Sequence, residues 1–295
     1  IILKKAVFTA FFVDNSYYIF YNLYIKRGQC FMRYYENILK TSENRLSPRS
    51  YYIPEGKSEY NLLNGDWRFK YYNRDIDVEE NIDNWDIIPV PSCWQILGYG
   101  NPNYTNQNYP YPYDIPYVPD DNPCGVYERD FEVKNKWGRV YFVLEGVSSC
   151  AKIFLNGKYV GFTQGSHLEA EFDITDFVVE GKNTIRVDVL KWCVGSYLED
   201  QDFIRFNGIF RDCYILQRPE NHIVDIAIST KENSILVNAD KECDITLYSN
   251  DGELLDSKKG LTAEFVLENP IRWNAEKPYL YNVKIERDGE VINRK

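Results

Sequence analysis

Short runs of alternating apolar and polar residues, separated by turn residues, fill most of the chain. GRVYFVLEGV at 138–147 alternates, and AKIFLNGKYVGFTQG at 151–165 indicates a hairpin around its Asn-Gly pair, since both central residues of a type I′ turn need positive φ. Asn207-Gly208 repeats this hairpin device before another alternating run, so we expect a turn of the same kind there. No stretch of about ten or more residues keeps a helical period. The sequence therefore predicts an all-β fold, an antiparallel sandwich or jelly roll that ends near residue 219.

The chain divides into three parts on these patterns. Residues 1–31 are rich in Ile, Phe, Tyr, Asn and Lys and precede the only methionine, Met32, so we expect an upstream extension that is disordered or lies outside the native protein. Residues 32–219 form the predicted jelly roll. Residues 220–295 carry about seven short strands, which is immunoglobulin-like spacing, and are truncated if they follow the usual length of about 100 residues.

Charge and hydropathy argue against two classes of partner. The net charge is −10 and no basic stripe is present, so we expect no nucleic-acid partner. The apolar run at 6–13 is interrupted by Asp14, Asn15 and Ser16, well short of the ~20 residues that a membrane span needs. It also matches a signal peptide poorly, because no small-residue cleavage site follows. We expect no membrane partner.

The cysteines and histidines indicate a reducing compartment without a zinc site. The seven cysteines are scattered and form no CxxC pair, and the only histidines are His167 and His222. We therefore expect buried thiols in a cytoplasmic protein. His167 reads as a surface or turn histidine.

The stretch from Pro89 to Gly125 is rich in proline and does not show the alternating pattern of the strands. It holds eight of the 13 prolines, and its polar tips, including Asn103 and Asn106, alternate with tyrosines. Long loops inside compact domains are commonly functional, and amides beside aromatic rings suit hydroxyl-rich ligands. A loop that only covers the edge of the sandwich explains the same residues. Both interpretations stay open on this pattern alone.

An acidic stretch, LEDQDFIRF at 198–206, places three carboxylates beside aromatic residues. Asp200 and Asp202 would share one face of an extended strand about 7 Å apart, which is a spacing of catalytic carboxylate pairs. Catalysis needs two acids in different environments on opposite sides of a bond, and neighbours on one strand share one environment. We therefore expect no catalytic pair here, and a structural role for Glu199 and Asp200, with Arg205 and Arg211 balancing the acids.

Several segments, in this order, resemble the amino-terminal part of the family 2 glycoside hydrolases, and specifically its lactose-hydrolysing β-galactosidases. The matching segments are ENRL at 43–46, LNGDWRF at 63–69, VPSCWQILGYGNPNYTN at 90–106, YPYPYDIPYVPDDNPCGVY at 109–127, FLNGKYVGFTQGSHLEAEFDIT at 154–175, LKWCVGSYLEDQDFIRFNGIFRDC at 190–213 and IRWNAEKPYLYNVKIE at 271–286. The resemblance covers about residues 36–295. It implies that the jelly roll of residues 32–219 is a domain of the sugar-binding type and that an immunoglobulin-like domain follows it, and in the family these precede a (β/α)8 barrel that we expect to be absent from these residues.

The resemblance also implies roles for two residues. Members of the family are retaining enzymes whose two catalytic glutamates lie on the barrel, so no catalytic residue is assigned in this chain. Asn106 matches a loop asparagine that reaches the galactosyl pocket, and Asp202 matches an aspartate that contacts substrate and a bound sodium ion. Sodium and magnesium are implied for the full-length enzyme, with no cofactor in this piece. The implied partners are a terminal β-D-galactoside such as lactose, the protein's own barrel and further copies of the full-length chain.

Two functions follow from these features. The first is a non-catalytic, amino-terminal part of a retaining β-galactosidase that lends loop residues to the active site of the barrel and is inactive alone. The alternative is a stand-alone carbohydrate-binding module without hydrolase activity.

Overall fold

A computed structural model describes residues 33–106, 109–199 and 202–295. These residues form strands and four short 3-10 turns, at Tyr34–Glu36, Asp75–Asp77, Trp94–Leu97 and Val194–Tyr197. The predicted all-β class is confirmed, and the described ranges hold no (β/α)8 barrel, because they contain no α-helix. For the same reason, no described helix has the length and apolar character that crossing a bilayer requires.

Sixteen strands precede the second sandwich in the described part of the chain. In chain order, β1 to β16 are Ser42–Glu43, Glu55–Gly56, Glu59–Leu62, Gly65–Tyr72, Asp86–Val90, Asn103–Tyr104, Cys124–Val133, Arg139–Leu144, Val147–Ser148, Cys150–Leu155, Lys158–Gln164, Ala170–Asp173, Gly181–Leu190, Ile204–Arg205, Gly208–Ile209 and Cys213–Arg218. A seven-stranded sheet has the order β1-β11-β10-β13-β7-β4-β5, and a four-stranded sheet has the order β12-β8-β16-β3. Two short ribbons, β6 with β14 and β9 with β15, lie outside these sheets.

The two large sheets form the jelly-roll sandwich by enclosing one apolar core. On β8, Val140, Phe142 and Leu144 face this core, as the alternating pattern predicts. The intervening Tyr141 and Val143 are buried as well, in a smaller cluster on the other face of the strand. Because both faces of β8 are buried, the positions between the core residues carry Tyr141 and Val143 and not strongly polar side chains.

The Asn-Gly pairs at 156–157 and 207–208 have different structures. Asn156 and Gly157 both have positive φ, 52° and 76°, and join β10 to β11 in the predicted hairpin. Asn207-Gly208 is not a hairpin turn, so that expectation is wrong. Asn207 is fully buried, and a Cβ on Gly208 would lie 2.6 Å from the carbonyl oxygen of Ser92. This glycine is needed because the acidic stretch passes very close to the start of the proline-rich stretch.

The second, immunoglobulin-like sandwich is built from five further strands and one strand borrowed from the beginning of the chain. Strands β17 to β21 are Ile226–Thr230, Ser234–Tyr248, Leu254–Val266, Asn282–Arg287 and Glu290–Arg294. Their order is β17-β18-β20-β21-β2, and β19 pairs with β18. A break in the β18–β19 register divides β18 into one part that pairs with β17 and another that pairs with β20. Such irregularities bend a strand, which lets this sheet curl around its core.

A buried ion pair connects the two sandwiches. The borrowed β2 pairs with β21, and Tyr52 just before it lies in the second core. Arg218, at the end of the first sandwich, donates to Glu290 of β21 at 2.7 Å, with both side chains 1% exposed. Arg218 also donates to the Tyr52 hydroxyl at 3.2 Å. Dividing the sequence into two domains at residue 219 does not predict that β2, from the first part of the chain, pairs with a strand of the second sandwich.

Candidate functional site

The second half of the proline-rich stretch packs against the sandwich. Tyr109, Tyr111 and Ile115 lie against a buried cluster on the seven-stranded sheet that includes Trp192 and Tyr197. The Tyr109 hydroxyl donates to the carbonyl oxygen of Tyr197 at 2.6 Å, and the Tyr197 hydroxyl donates to the carbonyl oxygen of Tyr117 at 2.5 Å. Here the covering interpretation is correct, because these rings are packing groups and not a free stacking face.

The first half of the stretch is held differently, by a two-residue ladder with the acidic stretch. Strand β6 pairs with β14 in the register Tyr104 to Ile204 and Asn103 to Arg205. This ladder brings Asn106 and Asp202, the two predicted site residues, to the same end of the first sandwich. Both are exposed.

Tyr104 connects the two predicted site residues. Its hydroxyl donates to Oδ1 of Asp202 at 2.6 Å, and Nδ2 of Asn106 donates to the same hydroxyl oxygen at 3.2 Å. The result is an exposed row of amide, phenol and carboxylate. Sequence reasoning missed Tyr104, although a signal was available: it is the aromatic residue two positions before Asn106 in the quoted YTN.

Beneath this row, Arg205 fixes the acidic stretch to the sandwich. Its buried guanidinium donates to the carbonyl oxygen of Glu199 at 2.8 Å and to the hydroxyl of Ser149 at 3.3 Å. The Glu199 carboxylate lies 3.5 Å from Arg205 and accepts two hydrogen bonds from Ser166, at 2.7 and 2.6 Å. Glu199 is therefore structural, as expected, and Arg205 does balance an acid. Asp200 lies outside the described residues.

Arg211 does not balance the described acids of the LEDQD segment, Glu199 and Asp202. Its guanidinium donates to the backbone carbonyl oxygens of His167 at 3.1 Å and Glu145 at 3.4 Å, so within the described residues it holds two turns. His167 itself is exposed in a turn, as expected.

A buried polar network ties the two ends of the site together. The Gln95 side chain accepts from the backbone N–H of Asn207 at 2.9 Å and donates to its Oδ1 at 2.8 Å. Lys191, also buried, donates its ammonium to the carbonyl oxygen of Asn101 at 2.8 Å. Burial, aided by the nearby charge of Arg205, lowers the pKa of Lys191 to about 8. The loop that carries Asn106 is thus anchored from below by a group whose charge changes just above neutral pH.

Several buried polar atoms around this loop lack a hydrogen-bond partner among the described residues. They are Trp94 Nε1, Asn103 Oδ1, Thr105 Oγ1, Tyr111 Oη and Arg205 Nε. Buried polar groups are normally satisfied by protein or ordered water.

Asp202 is a suitable type of ligand for the sodium ion that the resemblance implies, but the described residues do not supply a full set of ligands. Carboxylate oxygens are the ligands that hard cations prefer. No group of three His, Cys, Asp or Glu side chains in the described ranges is placed to hold a metal ion. Asp202 can therefore supply one ligand, and the others would come from outside the described residues.

The six described cysteines, Cys93, Cys124, Cys150, Cys193, Cys213 and Cys243, are free thiols, as expected. Five of them are buried. Burial raises the pKa of Cys193 and of Cys213 to about 12, so these thiols are unreactive. Cys30 lies outside the described residues.

Comparison with known proteins places this architecture among carbohydrate-active enzymes. Residues 60–219 match the family model described as "Glycosyl hydrolases family 2, sugar binding domain", and residues 216–295 match the model "Glycosyl hydrolases family 2". The class is therefore a sugar-binding β-sandwich followed by a second β-domain of a glycoside hydrolase. The chain belongs to glycosyl hydrolases family 2, and the resemblance to its amino-terminal part is confirmed.

Curated relatives carry the name beta-galactosidase. One from Actinobacillus pleuropneumoniae is 37% identical over 281 residues, which is 85% of this chain and 28% of the relative. One from Staphylococcus xylosus is 36% identical over 294 residues, which is 89% of this chain and 29% of the relative. The chain thus spans less than a third of the length of the relatives it matches.

Solved structures support the fold. A beta-glucuronidase from an uncultured Clostridium sp. superposes with a TM-score of 0.61 at 20% identity, over 85% of this chain and 46% of that one. A β-glucuronidase from Ruminococcus gnavus gives a TM-score of 0.63 at 16% identity, over 84% of this chain and 47% of that one. At this identity the likeness concerns the fold alone.

Proposed function

We propose that this chain is the amino-terminal, non-catalytic part of a retaining β-galactosidase that hydrolyses terminal β-D-galactosides such as lactose. Asn106 and Asp202 then contribute to a substrate pocket whose catalytic glutamates lie on a barrel outside these residues. The observation that carries the proposal is the Tyr104 hydroxyl, which holds both side chains in one exposed row. Relatives named beta-galactosidase support the choice of substrate.

The chemistry of the row suits a galactosyl group. A carboxylate accepts hydrogen bonds from hydroxyls more strongly than a neutral group does, and an amide can both donate and accept. Tyr104 occupies Oδ1 of Asp202, so a sugar hydroxyl or a sodium ion would approach Oδ2. Sodium would balance the charge of the carboxylate and polarise a sugar hydroxyl. Magnesium belongs, in this proposal, to the barrel.

Hydrolysis by this chain alone is not part of the proposal. A retaining glycosidase needs two carboxyl groups about 5 Å apart on either side of the bond that breaks, with different pKa values. Asp202 is exposed and Glu199 is held by Ser166 and Arg205, so these two do not form such a pair. The proposal includes a cytoplasmic location, in keeping with the free thiols, and partners in the protein's own barrel and in further copies of the full-length chain.

The test compares the full-length gene product with the 295-residue chain on a chromogenic β-galactoside. We expect turnover only from the full-length protein, and a loss of about tenfold or more in kcat/KM for Asp202→Asn and for Asn106→Ala, since each removes a hydrogen bond to substrate. Asp256→Asn, on exposed β19, is the matched control. Full-length variants that turn over galactosides like the wild type would refute the assignment of these residues.

The alternative, a stand-alone carbohydrate-binding module, is favoured by one observation: the row of Asn106, Tyr104 and Asp202 is already formed within this chain. A module predicts saturable galactoside binding by the 295-residue chain and no hydrolase domain encoded after Lys295. Sequencing that downstream region decides between the two functions.

A further inference from the structure

A second cavity, separate from the Asp202 row, lies on the outer side of the four-stranded sheet. Its volume is about 490 Å³, within the range of small-molecule pockets. Its walls come from four places in the chain, namely the segment before β2, the turn after β8, the turn that leads into β12 and the turn between β15 and β16. The lining includes Arg49, Tyr51, Glu145, Glu169 and Arg211.

The cavity holds two carboxylates that are incompletely paired. Arg49, whose side chain is 5% exposed, makes its close ion pair with Glu171 at 2.8 Å. It lies 3.7 Å from Glu169, beyond hydrogen-bonding distance. Glu145 accepts a hydrogen bond from the Tyr51 hydroxyl at 2.8 Å. Burial, together with the neighbouring acids Glu171 and Glu145, raises the pKa of Glu169 despite the nearby Arg49.

Tyr214 on β16 is fully buried near this cavity, but it is not one of the residues that line it. Burial raises the pKa of its hydroxyl, and the charges that act on it most are those of Glu169, Glu145 and Arg49. Because that hydroxyl has no exposed surface, the groups that a ligand can reach are those of the lining, chiefly Glu145, Glu169 and Arg211.

The mixture of charges selects the class of ligand. The two arginines and three glutamates of the lining leave a net charge of only about −1, so neither a strongly charged cation nor an anion matches the lining as a whole. A neutral polyhydroxylated molecule can donate to Glu145 and Glu169 and accept from Arg211 at the same time. The Tyr51 ring, half exposed at the rim, adds a flat apolar face of the kind that stacks on the CH side of a sugar. We propose that this cavity is a second saccharide site, for a neutral mono- or disaccharide.

The experiment uses the 295-residue chain with Asp202→Asn in the background, so that binding at the proposed galactoside row does not contribute. Binding of D-galactose, D-glucose and lactose is measured by ligand-observed NMR and calorimetry. We expect saturable binding of at least one sugar in the millimolar range. Glu169→Gln and Tyr51→Ala are each expected to raise the dissociation constant about tenfold, because one removes a charged acceptor and the other the stacking face.

Matched controls are Glu268→Gln and Tyr159→Ala, an exposed acid and a partly exposed tyrosine away from the cavity, which should change the dissociation constant by less than about twofold. Amide shifts confined to residues 167–171 and 211 would support the location. Three results overturn the proposal: no sugar binds in the Asp202→Asn background, Glu169→Gln leaves the affinity unchanged, or methylammonium binds where sugars do not. None of them bears on the proposed function, which depends on Asn106 and Asp202.

Discussion

Replacing Tyr104 by phenylalanine removes the one hydroxyl that connects Asn106 to Asp202 and leaves the ring in place. The hydroxyl makes a 2.6 Å bond to a carboxylate and accepts a 3.2 Å bond from an amide. A hydrogen bond to a charged group contributes about 1.5–3 kcal/mol, and a neutral one about 1 kcal/mol.

Solvent screening reduces these values at this position. Tyr104 is 53% exposed and Asp202 is exposed, so water can replace much of what the variant loses. We therefore expect about 1 kcal/mol of lost positioning in the full-length enzyme, which corresponds to a decrease of roughly fivefold in kcat/KM. The stability of the fold should change little, because the hydroxyl is not in the core.

The assay is steady-state hydrolysis of a chromogenic galactoside by full-length Tyr104→Phe, beside Tyr113→Phe as control. Tyr113 is another exposed tyrosine of the same loop, and its ring packs on Tyr109. The reasoning fails if Tyr104→Phe keeps full kcat/KM while Asp202→Asn loses it. In that case Asp202 acts without help from the phenol.

Two further predictions concern buried charges and can be tested on the 295-residue chain by urea unfolding. Arg218→Met leaves Glu290 buried without its cation and should lower the free energy of unfolding by about 3–5 kcal/mol, whereas Arg218→Met with Glu290→Met should recover most of the loss; a double variant as unstable as Arg218→Met would contradict the cost assigned to the unpaired Glu290. The folded-state pKa of Lys191 is lowered to about 8, so the unfolded state binds the extra proton above that pH, and stability should rise with pH. Between about pH 7.5 and 9.5, wild type should gain roughly 2 kcal/mol relative to Lys191→Met, and a flat difference would contradict the lowered pKa.

Local sequence patterns predict the strands well because the side chains of a strand alternate between its buried and its exposed face. The alternation of Val140, Phe142 and Leu144 follows directly from a core on one side of β8. The hairpin at Asn156-Gly157 follows from two residues that need positive φ.

The same local rule failed at Asn207-Gly208 because distant contacts decide that position. Asn207 exchanges hydrogen bonds with Gln95, 112 residues away, and Gly208 is needed for the close approach of Ser92. The ion pair of Arg218 with Glu290, between the two sandwiches, was unpredictable for the same reason, since an arginine before a proline in the sequence does not reveal a partner 72 residues later.

The candidate site was only partly accessible from the sequence. Asn106 and Asp202 came from the family resemblance, and the pairing of β6 with β14 explains why these two residues lie at one place. Tyr104 was missed because its partner carboxylate is 98 residues away in the chain. The tyrosines at 109 and 111 were open to two interpretations, and only tertiary packing separates a ring in a cluster from a ring offered to a ligand.

The groups beneath the loop argue that it does more than cover the sheet. A cover needs only apolar contacts, such as those of Tyr111 and Ile115. The part that carries Asn106 instead rests on buried polar and charged groups, namely Gln95, Asn207 and Lys191, whose burial is costly unless each hydrogen bond is made with good geometry. Because such networks tolerate only one arrangement, they fix the position of a loop more sharply than apolar packing does. Under the proposed function, that accuracy would hold the exposed carboxylate of Asp202 and the amide of Asn106 in a fixed position toward the barrel.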